Sequence, residues 1–84
     1  MASLDEFITQ AQTDISEVKE ASTSMEKTKS LAEELSSQFQ SLSAEAMATG
    51  AEQLKKQVEE AQQMLAPAIS KLEEAISSAE GMKN

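Results

Sequence analysis

The chain has 84 residues, seven lysines against fifteen acids, a net charge of −8, and no cysteine, histidine, tryptophan, tyrosine or arginine. That composition leaves no disulfide framework, no thiolate or imidazole metal site and no histidine for acid–base work. An acidic surface without arginine repels phosphate backbones, which disfavours nucleic-acid binding, and the apolar runs are too short to span a bilayer.

The opening stretch MASLDEFITQ carries two acids and no basic residue before Lys19, which is not the pattern of a cleavable signal peptide. Ser3 followed by Glu6 forms a capping-box pattern ahead of Phe7 and Ile8 and predicts a helix start. From there apolar and small residues recur at alternating spacings of three and four, from Leu4, Ile8, Ala11, Ile15 and Val18 through Ala21, Met25, Thr28, Leu31 and Leu35 to Phe39 and Leu42. The period is near 3.5, that of one continuous helical stripe, and no segment alternates as a strand would. EASTSMEKTKS, residues 20–30, is dense in hydroxyl side chains that compete for backbone hydrogen bonds, so the first helix is expected to be loose there.

A second stripe runs from Met47 through Ala51, Leu54, Val58, Ala61, Leu65, Ile69, Leu72 and Ile76 to Ala79. Between the two stripes lies AEAMATGAEQL with Gly50, a residue disfavoured inside helices and favoured at their ends. The reversal is therefore expected within 41–50, with helix one over about 3–43, helix two over about 50–81, and Ala48 and Gly50 as turn residues. On this reading Gly50→Ala is tolerated with a modest loss. A single uninterrupted rod is the competing reading, because the stripe can be followed across Gly50. Pro67, in MLAPAIS, lacks an amide hydrogen and crowds the carbonyl of Gln63, so helix two is expected to kink there or to restart as a short third helix.

The fold class that follows is all-α: one domain over residues 1–84, an antiparallel helical hairpin whose second helix is kinked at Pro67. Nineteen leucine, isoleucine, valine, methionine and phenylalanine residues from Leu4 onward exceed what two facing arms can hide, so pairing of two hairpins into a four-helix bundle is expected. No catalytic site is expected. The acid pairs Glu33–Glu34, Glu59–Glu60 and Glu73–Glu74 point about 100° apart on a helix, and no hydroxyl has a general base in its sequence neighbourhood. Nor is any cofactor or metal expected. Met25, Met47 and Met64 read as core fillers on or beside the stripes. Candidate partner-interface residues are Ile15 and Val18 on the first arm and Leu65, Ile69 and Leu72 on the second; the competing reading is that these five complete a homodimer core.

A small acidic helical hairpin with Ala48-Thr49-Gly50 near its turn resembles the WXG family of type VII secretion substrates. The glycine of the family's Trp-x-Gly turn is kept and its tryptophan is not. The family's C-terminal export motif falls on Ile76 and Glu80, with isoleucine in place of tyrosine. The resemblance implies a bacterial protein of the cytoplasm that is exported without a cleavable signal peptide, as a partner of itself, of a sister hairpin or of a larger effector. Two other classes compete with it. One is a cytosolic coiled-coil adaptor or secretion chaperone that binds a partner's amphipathic helix, and the other is a subunit that polymerises through its helices.

Overall fold

The structure is a computed structural model, and it describes residues 1–83. Two helices account for nearly all of it: α1 (Leu4–Ser41) and α2 (Glu45–Lys83), packed antiparallel into a hairpin 64 Å long and about 16 Å across. No strand is present among the described residues.

Helix α1 starts where the capping box predicts. Ser3 has extended backbone, and its hydroxyl accepts a hydrogen bond from the Glu6 amide at 3.1 Å, while Asp5 and Glu6 place negative charge at the positive end of the helix. The hydroxyl-rich stretch at 20–30, expected to be loose, is continuous helix. Thr23 donates back to the Lys19 carbonyl, and Thr28 to that of Ser24, so these hydroxyls bond within their own helix and do not open it.

The reversal falls at the start of the expected window. The Ala44 amide donates to the Phe39 carbonyl at 2.8 Å and the Ser43 amide to the Gln40 carbonyl at 3.0 Å. Those two bonds form a Schellman motif, and Ser43 holds the left-handed position with φ of 57°. Helix α2 then begins at once, with the Ala48 amide donating to the Ala44 carbonyl. Ala48 and Gly50, expected in the turn, instead lie inside α2, which starts five residues earlier than the glycine suggested. Glycine is favoured at a helix end but not required there, and a serine at φ of 57° has taken the strained position. Helix α2 also runs through Pro67 without a break, so no third helix restarts there. Pro67 and Gln63 both stand on the exposed side, where the carbonyl that residue 67 cannot serve is open to water.

Three cross-arm contacts set the register. Lys83 reaches Asp5 at 2.6 Å, Lys55 reaches Glu33 at 3.5 Å, and the Gln62 side chain donates to the Ser22 carbonyl at 3.2 Å. The residue numbers total 88 in both ion pairs, 5 with 83 and 33 with 55, and 84 for 22 with 62, so residue n of α1 stands within about half a turn of residue 86 − n of α2. The turn chemistry leads to a paired prediction. Ser43→Gly relieves the left-handed serine and Gly50→Ala replaces a helix-interior glycine whose added methyl meets nothing within 4 Å, so each raises unfolding free energy by about 1 kcal/mol in urea denaturation. The sign at position 50 is opposite to the one expected from placing the glycine in the turn.

Candidate functional site: an open apolar face

Burial follows a heptad rhythm. On α1 the seam positions 4, 8, 11, 15, 18, 22, 25, 29, 32, 36 and 39, and on α2 positions 48, 51, 55, 58, 62, 65, 69, 72, 76 and 79, are buried or half-buried and are separated alternately by three and four; beside them Asp14, Glu59, Ala61 and Ala75 are half-buried too. Each helix thus gives two columns to the seam. The most deeply buried seam residues are small: Ala11, Ala32, Ser36, Ala48, Ala51 and Ala79, with Ser36 and Ala51 each 3% exposed. Small side chains at these positions are what two closely spaced helices require. Lys29 and Lys55 also occupy seam positions; Lys29 turns back to Glu26 of its own helix, and Lys55 extends its stem past the other arm to Glu33 at that arm's edge.

This rhythm splits the single stripe read from the sequence. Leu4, Ile8, Ala11, Ile15 and Val18 follow the seam, but Ala21, Thr28, Leu31, Leu35 and Leu42 leave it, while Ser22, Lys29, Ala32 and Ser36 take their places. On α2, Met47, Leu54 and Ala61 likewise lie beside the seam, and Ala48, Lys55 and Gln62 lie in it. The displaced residues fall on one side of the hairpin. All but Leu31, which lies one column further out, belong to a third column on each arm, also spaced by seven: Phe7, Asp14, Ala21, Thr28, Leu35 and Leu42 on α1, and Met47, Leu54, Ala61, Ala68, Ala75 and Met82 on α2.

Near the middle and toward the turn these columns border an open groove of about 440 Å³, lined by Met25, Thr28, Leu31, Ala32 and Leu35 from α1 and by Leu54, Gln57, Val58 and Ala61 from α2. Leu31 is 59% exposed and Leu54 50% exposed, and Leu35, Leu42 and Met47 are exposed beside them. Only Thr28 and Gln57 bring polar atoms to the lining, and no charged group does, so the groove lacks the convergent polar anchors that orient a small molecule. The opposite side of the hairpin is acidic. Glu45, Glu52, Glu59, Glu73 and Glu80 recur along α2 at multiples of seven, and Asp5, Glu26 and Glu33 share a column of α1. The molecule is two-sided, with an apolar face and an acidic back.

The expected interface residues Ile15, Val18, Leu65, Ile69 and Leu72 are all half-buried and all lie on seam columns facing the other arm. None of them belongs to the open face. Ile76 is likewise on the seam and half-buried, and Glu80 is exposed one turn further on. Ala48-Thr49-Gly50, read as a counterpart of the WXG turn, stands inside α2. Sequence reasoning missed Leu31, Leu35 and Leu54 as a separate surface because it merged three columns per helix into one. The seven-residue spacing from Phe7 to Leu42 and from Met47 to Met82 was the signal for Leu35 and Leu54, and Leu31 lies one column further out, after Glu17 and Ser24.

Among the described residues two groups have clearly shifted acid–base behaviour. The Lys83 ammonium is held above the usual 10.5 by its hydrogen bond to Asp5, and Lys29 is held above it by its hydrogen bond to Glu26, with partial burial opposing. A raised lysine pKa means that its stabilising contribution is complete below 10.5 and is lost as pH rises through the higher folded-state value. Neither lysine lies in the groove lining. Among the described residues no group of acids could hold a metal ion, and no helix is long and apolar enough to cross a membrane.

Compared with protein-family models, with characterised proteins and with solved structures, the chain shows no match.

The split between seam and face yields a stability test. Ala51→Leu forces a large side chain into a position 3% exposed and is expected to cost about 1–3 kcal/mol in urea denaturation, whereas Glu52→Leu, one residue on and on the acidic back, changes stability by less than about 0.5 kcal/mol.

Proposed function

We propose that this protein is a non-enzymatic protein-binding module whose open apolar face is completed by another helical hairpin, giving a four-helix bundle. The observation that carries the reading is the exposure of Leu31, Leu35 and Leu54 around one groove, on a hairpin whose most deeply buried seam positions are held by alanine and serine. Apolar surface of this extent on a chain this short is the signature of a protein-contact face. The acidic back favours solubility and keeps the partner on one side.

Two narrower roles use the same face. In the first, the partner is a sister hairpin or a larger effector, and the protein is a WXG-like substrate or targeting partner of bacterial type VII secretion; its two arms of near-equal length, 38 and 39 residues, favour such a hairpin-on-hairpin assembly. In the second, the protein is an adaptor or secretion chaperone that shields a partner's amphipathic helix. A groove bordered by both arms and lacking charge favours that role.

Sedimentation equilibrium of the protein, alone and co-expressed with the products of neighbouring genes, tests the proposal. The expected result is a species heavier than the 9.0 kDa monomer in at least one of the two samples, with Leu31→Asp plus Leu54→Asp returning it to 9.0 kDa while circular dichroism stays helical. A monomer in both samples contradicts the reading. So does an assembly that the double variant leaves intact.

A further inference from the structure

Within the reading just given, we infer that the hairpin covering the open face is a second copy of this chain, packed with the same end up, so that α1 of each copy lies against α2 of the other. Three observations converge on this occupant and this orientation.

The first is area. The whole side that carries the face is bounded by extents of 64 and 16 Å, about 1,000 Å² per copy, so a contact along its full length reaches the ~800 Å² per partner of a stable specific interface. The second is the segregation of charge. Two copies of a chain with net charge −8 repel unless their acids stay apart, and the column Glu45, Glu52, Glu59, Glu73, Glu80 is on the back, away from the contact.

The third observation fixes the orientation. The outermost column on each side of the face repeats by seven through Glu17, Ser24 and Leu31 on α1 and through Gln57, Met64 and Lys71 on α2. Together with Asp14 on the inner column, Glu17 and Lys71 are the charged residues of the face columns. All three share one level of the hairpin: 17 and 71 total 88, the same sum as the pairs Asp5–Lys83 and Glu33–Lys55, and Asp14 is one turn from Glu17. Within one hairpin Glu17 and Lys71 lie on opposite edges of the face, and Lys71 is paired with Glu74 of its own helix, both of them widely exposed. A two-fold axis parallel to the helices keeps every residue at its own level and carries α2 of the second copy over α1 of the first. Lys71 of each copy then meets Glu17 and Asp14 of the other, twice over by symmetry. The same operation stacks Leu35 and Leu54 of both copies in one layer. A two-fold axis across the helices reverses the levels instead. It sets Glu17 and Asp14 against the Thr28–Leu31 region and leaves Lys71 beside Gln57 and Met64, a carboxylate on a leucine in place of an ion pair.

Charge reversal in the full-length protein tests this arrangement. By sedimentation equilibrium, Glu17→Lys alone and Lys71→Glu alone are each expected to dimerise roughly tenfold more weakly than wild type, because each sets two pairs of like charges together. The double variant Glu17→Lys with Lys71→Glu is expected to recover wild-type affinity. An equimolar mixture of the two single variants is expected to dimerise as well as wild type, since both cross-copy pairs then carry opposite charges. Circular dichroism of each variant checks that the hairpin persists, and both positions are exposed. Dimerisation that is lost with Leu31→Asp plus Leu54→Asp but insensitive to all three charge variants would overturn the same-end orientation while leaving the apolar face as the contact. A wild-type monomer that assembles only with a different hairpin would overturn the second copy as occupant and leave the binding-module reading standing.

Discussion

Two packed helices can hide two columns of side chains on each arm, and this chain carries three. That mismatch governs the rest of the structure. The seam takes small residues at its most buried positions together with eleven of the nineteen large apolar ones, and most of the third column is left facing water. A stable hairpin is still possible because close packing around Ala32, Ser36, Ala48 and Ala51 is combined with register-setting polar contacts, above all the Gln62 side chain on the Ser22 carbonyl. A polar group at a seam position is satisfied in one register and stranded in others, so it selects alignment more than it adds stability. The exposed column is left to water within one chain, and the acids are concentrated on the opposite side, with Asp14 and Glu17 the exceptions on the face columns.

How much of this was legible in the sequence depended on which physical signal was strong. The helical period, the Ser3–Glu6 cap and the absence of strands came through because they are local: each rests on residues within one or two turns. The turn was bracketed but misassigned, since glycine is the usual left-handed residue and the chain instead puts Ser43 there, seven residues before Gly50. The motif actually used is set by backbone hydrogen bonds from Ser43 and Ala44 to carbonyls near the end of α1, which no side-chain pattern announces.

The site was harder. A spacing of three and four fits a seam and a neighbouring column equally well, so the stripe passed from Val18 on the seam to Ala21, Thr28 and Leu31 beside it without any break in rhythm. Its true continuation, Ser22, Lys29 and Ser36, looked polar and was passed over. Only tertiary packing separates an alanine that lets two backbones approach from a leucine that stays outside. The stripe therefore offers Ile15, Val18, Leu65, Ile69 and Leu72 as partner-interface candidates although their columns face the other arm, and it does not separate Leu35 and Leu54, which border the groove, from the seam.

The central claim is that the third column is uncovered within one chain and covered by a partner hairpin. Because the chain has no cysteine, single cysteines can be placed at Leu35 on the face, Ser36 in the seam and Ser37 on the outer surface, and their reaction with a thiol reagent followed at nanomolar and at high micromolar protein. The account predicts that position 36 reacts slowly and position 37 rapidly at both concentrations, while position 35 reacts rapidly when dilute and slowly when concentrated. Equal, rapid reaction at position 35 across the whole range, without or with a co-expressed partner, would contradict it.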